Sequence, residues 1–218
     1  MISSDGDWFS NRSLFWQLFL CVWSDNDIVT KVVVFDIDGV VVDSSVRHDR
    51  LRFDYVQAGD YRGFIESLYD YNKDVADDVV IDSGVSLLEW VDDFYSPDEI
   101  VFSTARMECG RGPTFEQLKM IWPSIRPDDL FMMPDMFFDG QEWLFDSNLL
   151  GPWVMDALAS VPQKRRVIDE LRSRDWEVVL AVDDHPEVCD LYTSMGVPVL
   201  RPVMNNQVLW KGFAEAKV

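Results

Sequence analysis

Asp36 and Asp38 are the residues of this chain best placed to do chemistry. They close an apolar run, KVVVFDIDG from Lys31 to Gly39, and in an extended backbone side chains two apart leave on the same side. Two carboxylates that converge repel each other, so one of them holds its proton more tightly unless a cation or a proton transfer uses the pair. Gly39 follows at once and lets the backbone turn sharply or come close to a ligand. A second acidic pair, Asp183 and Asp184, closes another apolar run that starts at Glu177.

Cations stand at three further places. Arg47, His48, Arg50, Arg52 and Arg62 are interleaved with Phe53, Tyr55 and Tyr61. Such a patch could bind phosphate or stack a base; equally, it could be a solvated helix whose arginine stems pack on the aromatics. Arg106 follows Ser103, Thr104 and Ala105, and its planar fork could grip a phosphate or bridge a surface carboxylate. Lys164, Arg165 and Arg166 stand near the start of an expected helix, where the macrodipole disfavours cations. That placement suggests an anion nearby, against the plainer reading of a basic helix face.

The elements that must position these groups alternate. Val32 to Phe35, with Ile37, reads as a strand buried on both faces, as in the centre of a parallel sheet. Further strands are expected at 99–103, 130–133, 177–182 and 197–200. Helices are expected from a cap at Asp82 or Ser83 to a stop at Pro97, from Thr114 to Ile121, from Lys164 onward, and from Pro186 to a stop at Gly196. Leu88, Val91 and Tyr95, flanked by Trp90 and Phe94, predict the core face of the first of these. The pattern predicts an α/β fold, a Rossmann-like parallel sheet flanked by helices, with small inserts at about 44–82 and 134–161. Ligands of such sheets bind outside the carboxyl ends of the strands, where the candidate residues fall. The second insert carries Phe137, Phe138, Trp143, Phe145 and Trp153, suited to a lid, a partner surface or a satellite cluster.

A chain of 218 residues with 48% hydrophobic residues can bury a sizeable core, and is read as one domain at 31–202 with an extension at 1–30 and a tail at 203–218. Its formal charge of −20 excludes a broad nucleic-acid-binding face or adhesion to an anionic membrane, while allowing a local basic pocket. Cys21, Cys109 and Cys189 are few and scattered, which suits a reducing, cytoplasmic setting. Leu14 to Trp23 is apolar but about half the length that a membrane span requires. It is expected either to pack on the domain or to precede a natural start near Val29.

KVVVFDIDG, the STAR segment at 103–106, KRRVIDEL from Lys164 and AVDDHPEVCDLYTSMGV from Ala181 together resemble the haloacid dehalogenase superfamily of phosphohydrolases. Within it, they are most like the phosphatase domains of phage-type polynucleotide kinases. The resemblance implies that Asp36 attacks phosphorus, that Asp38 is the general acid and base, and that Thr104 and Lys164 hold phosphoryl oxygens. It implies a Mg²⁺ site made by Asp36, Asp183 and the backbone carbonyl of Asp38, with Asp184 as a further ligand or a partner of one; between the first two motifs the match is poor, and Arg106, Arg47 and Arg50 are expected as substrate contacts from their residue type. Ser103 and Arg165 are the alternatives to Thr104 and Lys164. No glycine-rich phosphate loop with Lys-Ser/Thr accompanies these motifs, so no kinase half is expected.

The expected activity is hydrolysis of a phosphomonoester through an aspartyl phosphate, on a nucleotide or the 3′-phosphate end of a polynucleotide. Alternatives are a phosphatase of small metabolites, such as mononucleotides or sugar phosphates, and a non-enzymatic acidic protein of the same fold that binds a partner.

Overall fold

The computed structural model describes residues 29–48, 50–137, 146 and 150–202. The apolar segment at 14–23, Cys21, Phe138, Trp143, Phe145 and the stretch from 203 to 218 lie outside the described residues. In chain order the elements are β1 (Thr30–Phe35), β2 (Val42–Asp43), α1 (Ser45–His48), α2 (Phe53–Gln57), α3 (Tyr61–Lys73), β3 (Val79–Val80) and α4 (Asp82–Tyr95). They continue with β4 (Glu99–Met107), α5 (Arg111–Ile121), β5 (Leu130–Met133), α6 (Trp153–Ala157), α7 (Ser160–Ser173), β6 (Trp176–Val182), α8 (Pro186–Ser194) and β7 (Val199–Leu200).

Five strands form one parallel sheet in the order β5-β4-β1-β6-β7. β1 is central because both of its faces are apolar. Val33 and Phe35 pack with Leu88, Val91 and Leu118 on one side of the sheet. Val32 and Val34 pack with Val167, Ile168, Leu171, Val188 and Tyr192 on the other. Each such fully buried side chain contributes roughly 1.5–3 kcal/mol. The result is the α/β architecture that the alternation predicts, with helices on both faces of the sheet.

From β1 the chain builds outward through β4 and β5, then crosses to β6 on the opposite side of β1. The order therefore reverses at β1, and this switch point opens a crevice at the carboxyl ends of the strands. The backbone curls tightly there: the Ile37 carbonyl accepts from the amides of Val40, Val41 and Val42. Gly39, at φ 79°, occupies the left-handed region. Gly84 lets α4 close on this loop, since a Cβ there would meet the Val40 carbonyl oxygen at 1.8 Å.

The two inserts meet above the crevice. Phe64, Ile65 and Tyr69 of α3 pack with Met107, Met133, Phe137, Val154 and Leu158 in a third apolar cluster. β2 and β3 form a small antiparallel pair that is not among the strands expected from the sequence.

Several boundaries differ from expectation. β4 runs on to Met107, so Thr104, Ala105 and Arg106 lie within the strand rather than after it; a register shift lets Met107 pair with Met133. α5 begins at Arg111 and takes in Pro113, which a first turn tolerates because its amides lack helical partners in any case. α7 begins at Ser160, which puts Lys164 in its second turn. On α4 only Leu88 and Val91 of the expected core face are buried; Trp90, Phe94 and Tyr95 are exposed, with Trp90 and Phe94 stacked at 5.0 Å. These two lie one turn apart on the flank of the helix, beyond the reach of the sheet. Among the described residues no helix is long and apolar enough to cross a membrane.

Candidate active site

Asp36 follows the last residue of β1, its amide bonded to the Val182 carbonyl of the neighbouring strand at 2.8 Å. Asp183 and Asp184 leave β6 at the same level. One oxygen from each of Asp36, Asp183 and Asp184 can be chosen so that all three lie within 4.8 Å of one another. Gly39 admits this crowding, because a Cβ there would stand 2.4 Å from an Asp184 carboxylate oxygen.

Lys164 reaches into this acidic cluster from α7. Its Nζ donates to Asp36 Oδ1 at 2.7 Å and to the Ser103 carbonyl, and lies 3.0 Å from Asp183 Oδ2. Burial works against its charge, but the Asp183 and Asp36 carboxylates outweigh it and hold the ammonium protonated well above the usual lysine range. Asp36 takes up a proton well above the usual carboxylate range, chiefly through burial. Asp183 and Asp184 add to that rise, while Lys164 opposes it. Arg165, the alternative cation, is exposed on α7.

Asp38 sits in a different setting. Its carboxylate accepts from Arg106 through Nε at 2.8 Å and Nη2 at 2.7 Å, and from Arg47 at 3.3 Å. Thr104 Oγ1 makes a longer contact at 3.4 Å. Burial pushes its proton affinity up, but Arg106 first, then Arg47 and a hydrogen bond from Ser44, hold it well below the ordinary carboxylate range. Asp38 therefore rests ionised. Its side chain is turned to the arginines rather than to the acidic cluster, so any part in a metal shell falls to its backbone carbonyl.

Both arginines are themselves held by Asp78. Its buried carboxylate takes Arg47 Nε at 2.7 Å, and Arg106 Nη2 at 2.9 Å. Thr114 and Gln117 accept from Arg106 Nη1, and Arg47 lies 4.1 Å over the Tyr71 ring. Sequence reading missed Asp78, because it stands in an acidic stretch with no local signal; only the pairing of β3 with β2 carries it inward. Arg50 goes elsewhere. It is half exposed, paired with Asp74 and Asp77, beside a second, polar depression that does not include Asp36.

A cavity of about 170 Å³ joins these groups. Asp36, Asp38, Thr104, Arg106 and Asp183 line it from the sheet and Lys164 from α7, while Leu51, Phe64, Leu68, Tyr71, Met155 and Leu158 line it from the inserts. Thr104 is the member of the Ser103–Thr104 pair that faces it.

The three-carboxylate cluster fits a hard divalent cation on two counts. All its donors are oxygens, as Mg²⁺ requires, and one oxygen from each of the three carboxylates lies close enough to the others to share a single ion.

No family model matches the sequence, and no curated protein does. Solved structures do. A chain of the Pnkp1/Rnl/Hen1 RNA repair complex aligns over 83% of this chain and 45% of its own length, at 14% identity and a TM-score of 0.48. This chain thus spans about half the length of that relative. A haloacid dehalogenase-like hydrolase from Streptococcus pneumoniae aligns over 85% and 90%, at 12% identity and a TM-score of 0.45. The haloacid dehalogenase domain of the Legionella pneumophila effector Lem4 aligns over 86% and 93%, at 15% and 0.40. These neighbours include the family whose motifs the sequence resembles. At such identities and scores they say nothing of activity, which rests on the side chains of this chain.

Proposed function

We propose that this chain is a Mg²⁺-dependent phosphomonoester hydrolase that works through an aspartyl phosphate on Asp36. The observation that carries the reading is the division of labour between two carboxylates on one strand end: Asp36 among Lys164, Asp183 and Asp184, and Asp38 in the grip of Arg106 and Arg47.

An ion held by Asp36, Asp183 and Asp184, with the Asp38 carbonyl as a further donor, would supply charge neutralisation and a fixed position for a phosphoryl oxygen. Lys164 bonds one Asp36 oxygen, leaving the other to attack phosphorus; the P–O bond to the alcohol breaks as the carboxylate–phosphorus bond forms. Lys164 and the Thr104 hydroxyl then face the charge that spreads over the equatorial oxygens. Asp38 passes a proton to the departing alkoxide and takes one from the water that hydrolyses the acyl phosphate. As an anion it suits the second task at rest; for the first it needs a proton that its arginines oppose and that a monoanionic ester can bring.

The polynucleotide-end reading leaned on the likeness to polynucleotide kinase phosphatase domains and on the arginine and aromatic patch. With Arg47 committed to Asp78 and Asp38, and Arg50 to Asp74 and Asp77, the patch no longer supports it, and a small phosphomonoester is the reading adopted. The assembled acid, base and ammonium set weighs against a purely partner-binding role. Phosphate release from 4-nitrophenyl phosphate tests the proposal: release that needs Mg²⁺, stops with EDTA and is lost in Asp36→Asn is expected. Undiminished release from Asp36→Asn overturns it.

A further inference from the structure

Resting on that reading, we infer that the alcohol part of the substrate is a single small apolar or aromatic group, seated against the wall that the two inserts build, and that the site takes esters with no second phosphate. Three observations lead there.

The first is the wall itself. Leu51, Phe64, Leu68, Met155 and Leu158 line the same cavity as Asp36, so an ester whose phosphorus faces Asp36 carries its alcohol part within reach of apolar surroundings. Phe64 has no solvent exposure and Leu51 and Leu158 have under a tenth, so this wall is enclosed rather than a stray patch of surface.

The second is polar supply. Asn72, the amide of this wall, donates to the Leu68 carbonyl at 2.7 Å and accepts from the Met107 amide at 2.8 Å. The His48 ring packs on Phe53 and Tyr71 at 5.9 and 6.3 Å. Ser44, Tyr71, Ser160, His185 and Glu187 also line the cavity, but a sugar hydroxyl seated against the side chains of Leu51, Phe64, Leu68, Met155 and Leu158 finds no partner among them, and each one left unpaired weakens binding by roughly tenfold or more.

The third is charge and size. Arg106 and Lys164 are the arginine and lysine of the lining, and each already faces two carboxylates. Counting Arg47 and Asp78 behind them and Glu187 of the lining, six carboxylates outnumber three cations before any metal binds. A divalent ion offsets two of the three excess charges, which leaves no cation to hold a second phosphate. A cavity near 170 Å³ is on the scale of the roughly 150 Å³ that accepts one benzene ring, and far too small for a polynucleotide end.

The test compares esters whose leaving alkoxides are alike, so that intrinsic reactivity does not mimic binding. 2-Phenylethyl phosphate, glycerol 1-phosphate and a 3′-phosphorylated oligothymidylate are assayed with Mg²⁺, in the wild type and in Asp36→Asn. Expected is a kcat/KM for the phenylethyl ester roughly a hundredfold above that for glycerol phosphate, carried mainly by KM, with the oligonucleotide weaker still. Leu68→Asn and Met155→Ser, each at a half-buried position, are both expected to cut the ratio of the first two esters by about tenfold. Equal or inverted preference, or a ratio unmoved in both folded variants, overturns the inference while leaving the phosphatase reading intact. Failure of all three esters to give Asp36-dependent release overturns that reading and the inference with it.

Discussion

Lys164 and Asp36, 128 positions apart in the chain, meet in a buried contact of 2.7 Å between Nζ and Oδ1. Neither could be so placed without the other. Three carboxylates share the crowded end of the sheet, and a lysine on α7 keeps its charge there because those carboxylates outweigh its burial. Lys164→Met removes that charge and leaves Asp36 and Asp183 facing each other. Phosphate release is expected to fall by at least about 100-fold, the usual cost of losing one preorganised electrostatic contact to the transition state. Steady-state kinetics at saturating Mg²⁺ checks this; activity within a few-fold of wild type contradicts the role given to Lys164.

Asp38 makes stability depend on pH. Arg106 and Arg47 hold its folded proton affinity below the unfolded value, near 3.9 for a free Asp. The stabilisation is therefore fully present above about pH 4 and drains away as pH falls through the lower, folded value. Arg106→Gln breaks a buried pair, at a cost of about 3–5 kcal/mol at neutral pH. In urea titrations without metal, the gap between variant and wild type is expected to hold from pH 7 to about pH 4 and narrow below it. A gap that stays constant down to pH 3 contradicts the pairing.

Metal affinity also rises with pH, through Asp36 rather than Asp38. Asp36 holds a proton more tightly than an ordinary carboxylate, so an ion that binds it must displace that proton, and binding tightens as pH rises. Calorimetric titration with Mg²⁺ is expected to give a smaller Kd at pH 8 than at pH 6, and a larger rise in Tm on adding Mg²⁺ at pH 8. Gly39→Ala should weaken binding at both, since its Cβ meets Asp184 at 2.4 Å and its φ of 79° strains any other residue. Unchanged affinity in that variant contradicts the place given to Asp184.

Much of this fold was legible because its sheet is parallel and buried on both faces. Val32 to Phe35 and Glu177 to Val182 read as strands from their apolar runs, and acids at their ends marked the crevice. What was not legible depends on partners distant in sequence. Nothing near Asp78 distinguishes it from Asp74 or Asp77, yet it is enclosed with Arg47 and Arg106 while the other two pair with Arg50 at the surface. Periodicity put Trp90 and Phe94 in the core, but a helical stripe states only which residues share a face; the sheet covers Leu88 and Val91 and stops short of their neighbours. The same limit applied to the arginines. Residue type marked Arg47 and Arg106 as anion binders, and they are, but the anions they hold are carboxylates of this chain.

The measurement that bears most directly on the account is capture of the covalent intermediate. Asp38→Asn, which lacks the base for the second step, is incubated with Mg²⁺ and a reactive aryl phosphate, denatured and treated with borohydride. The reagent reduces an acyl phosphate of aspartate to homoserine. Homoserine at position 36, absent without substrate and absent from the Asp36→Asn/Asp38→Asn double variant, is the predicted result. An unmodified Asp36 in protein that has demonstrably turned substrate over, or homoserine at another aspartate, contradicts Asp36 as the nucleophile.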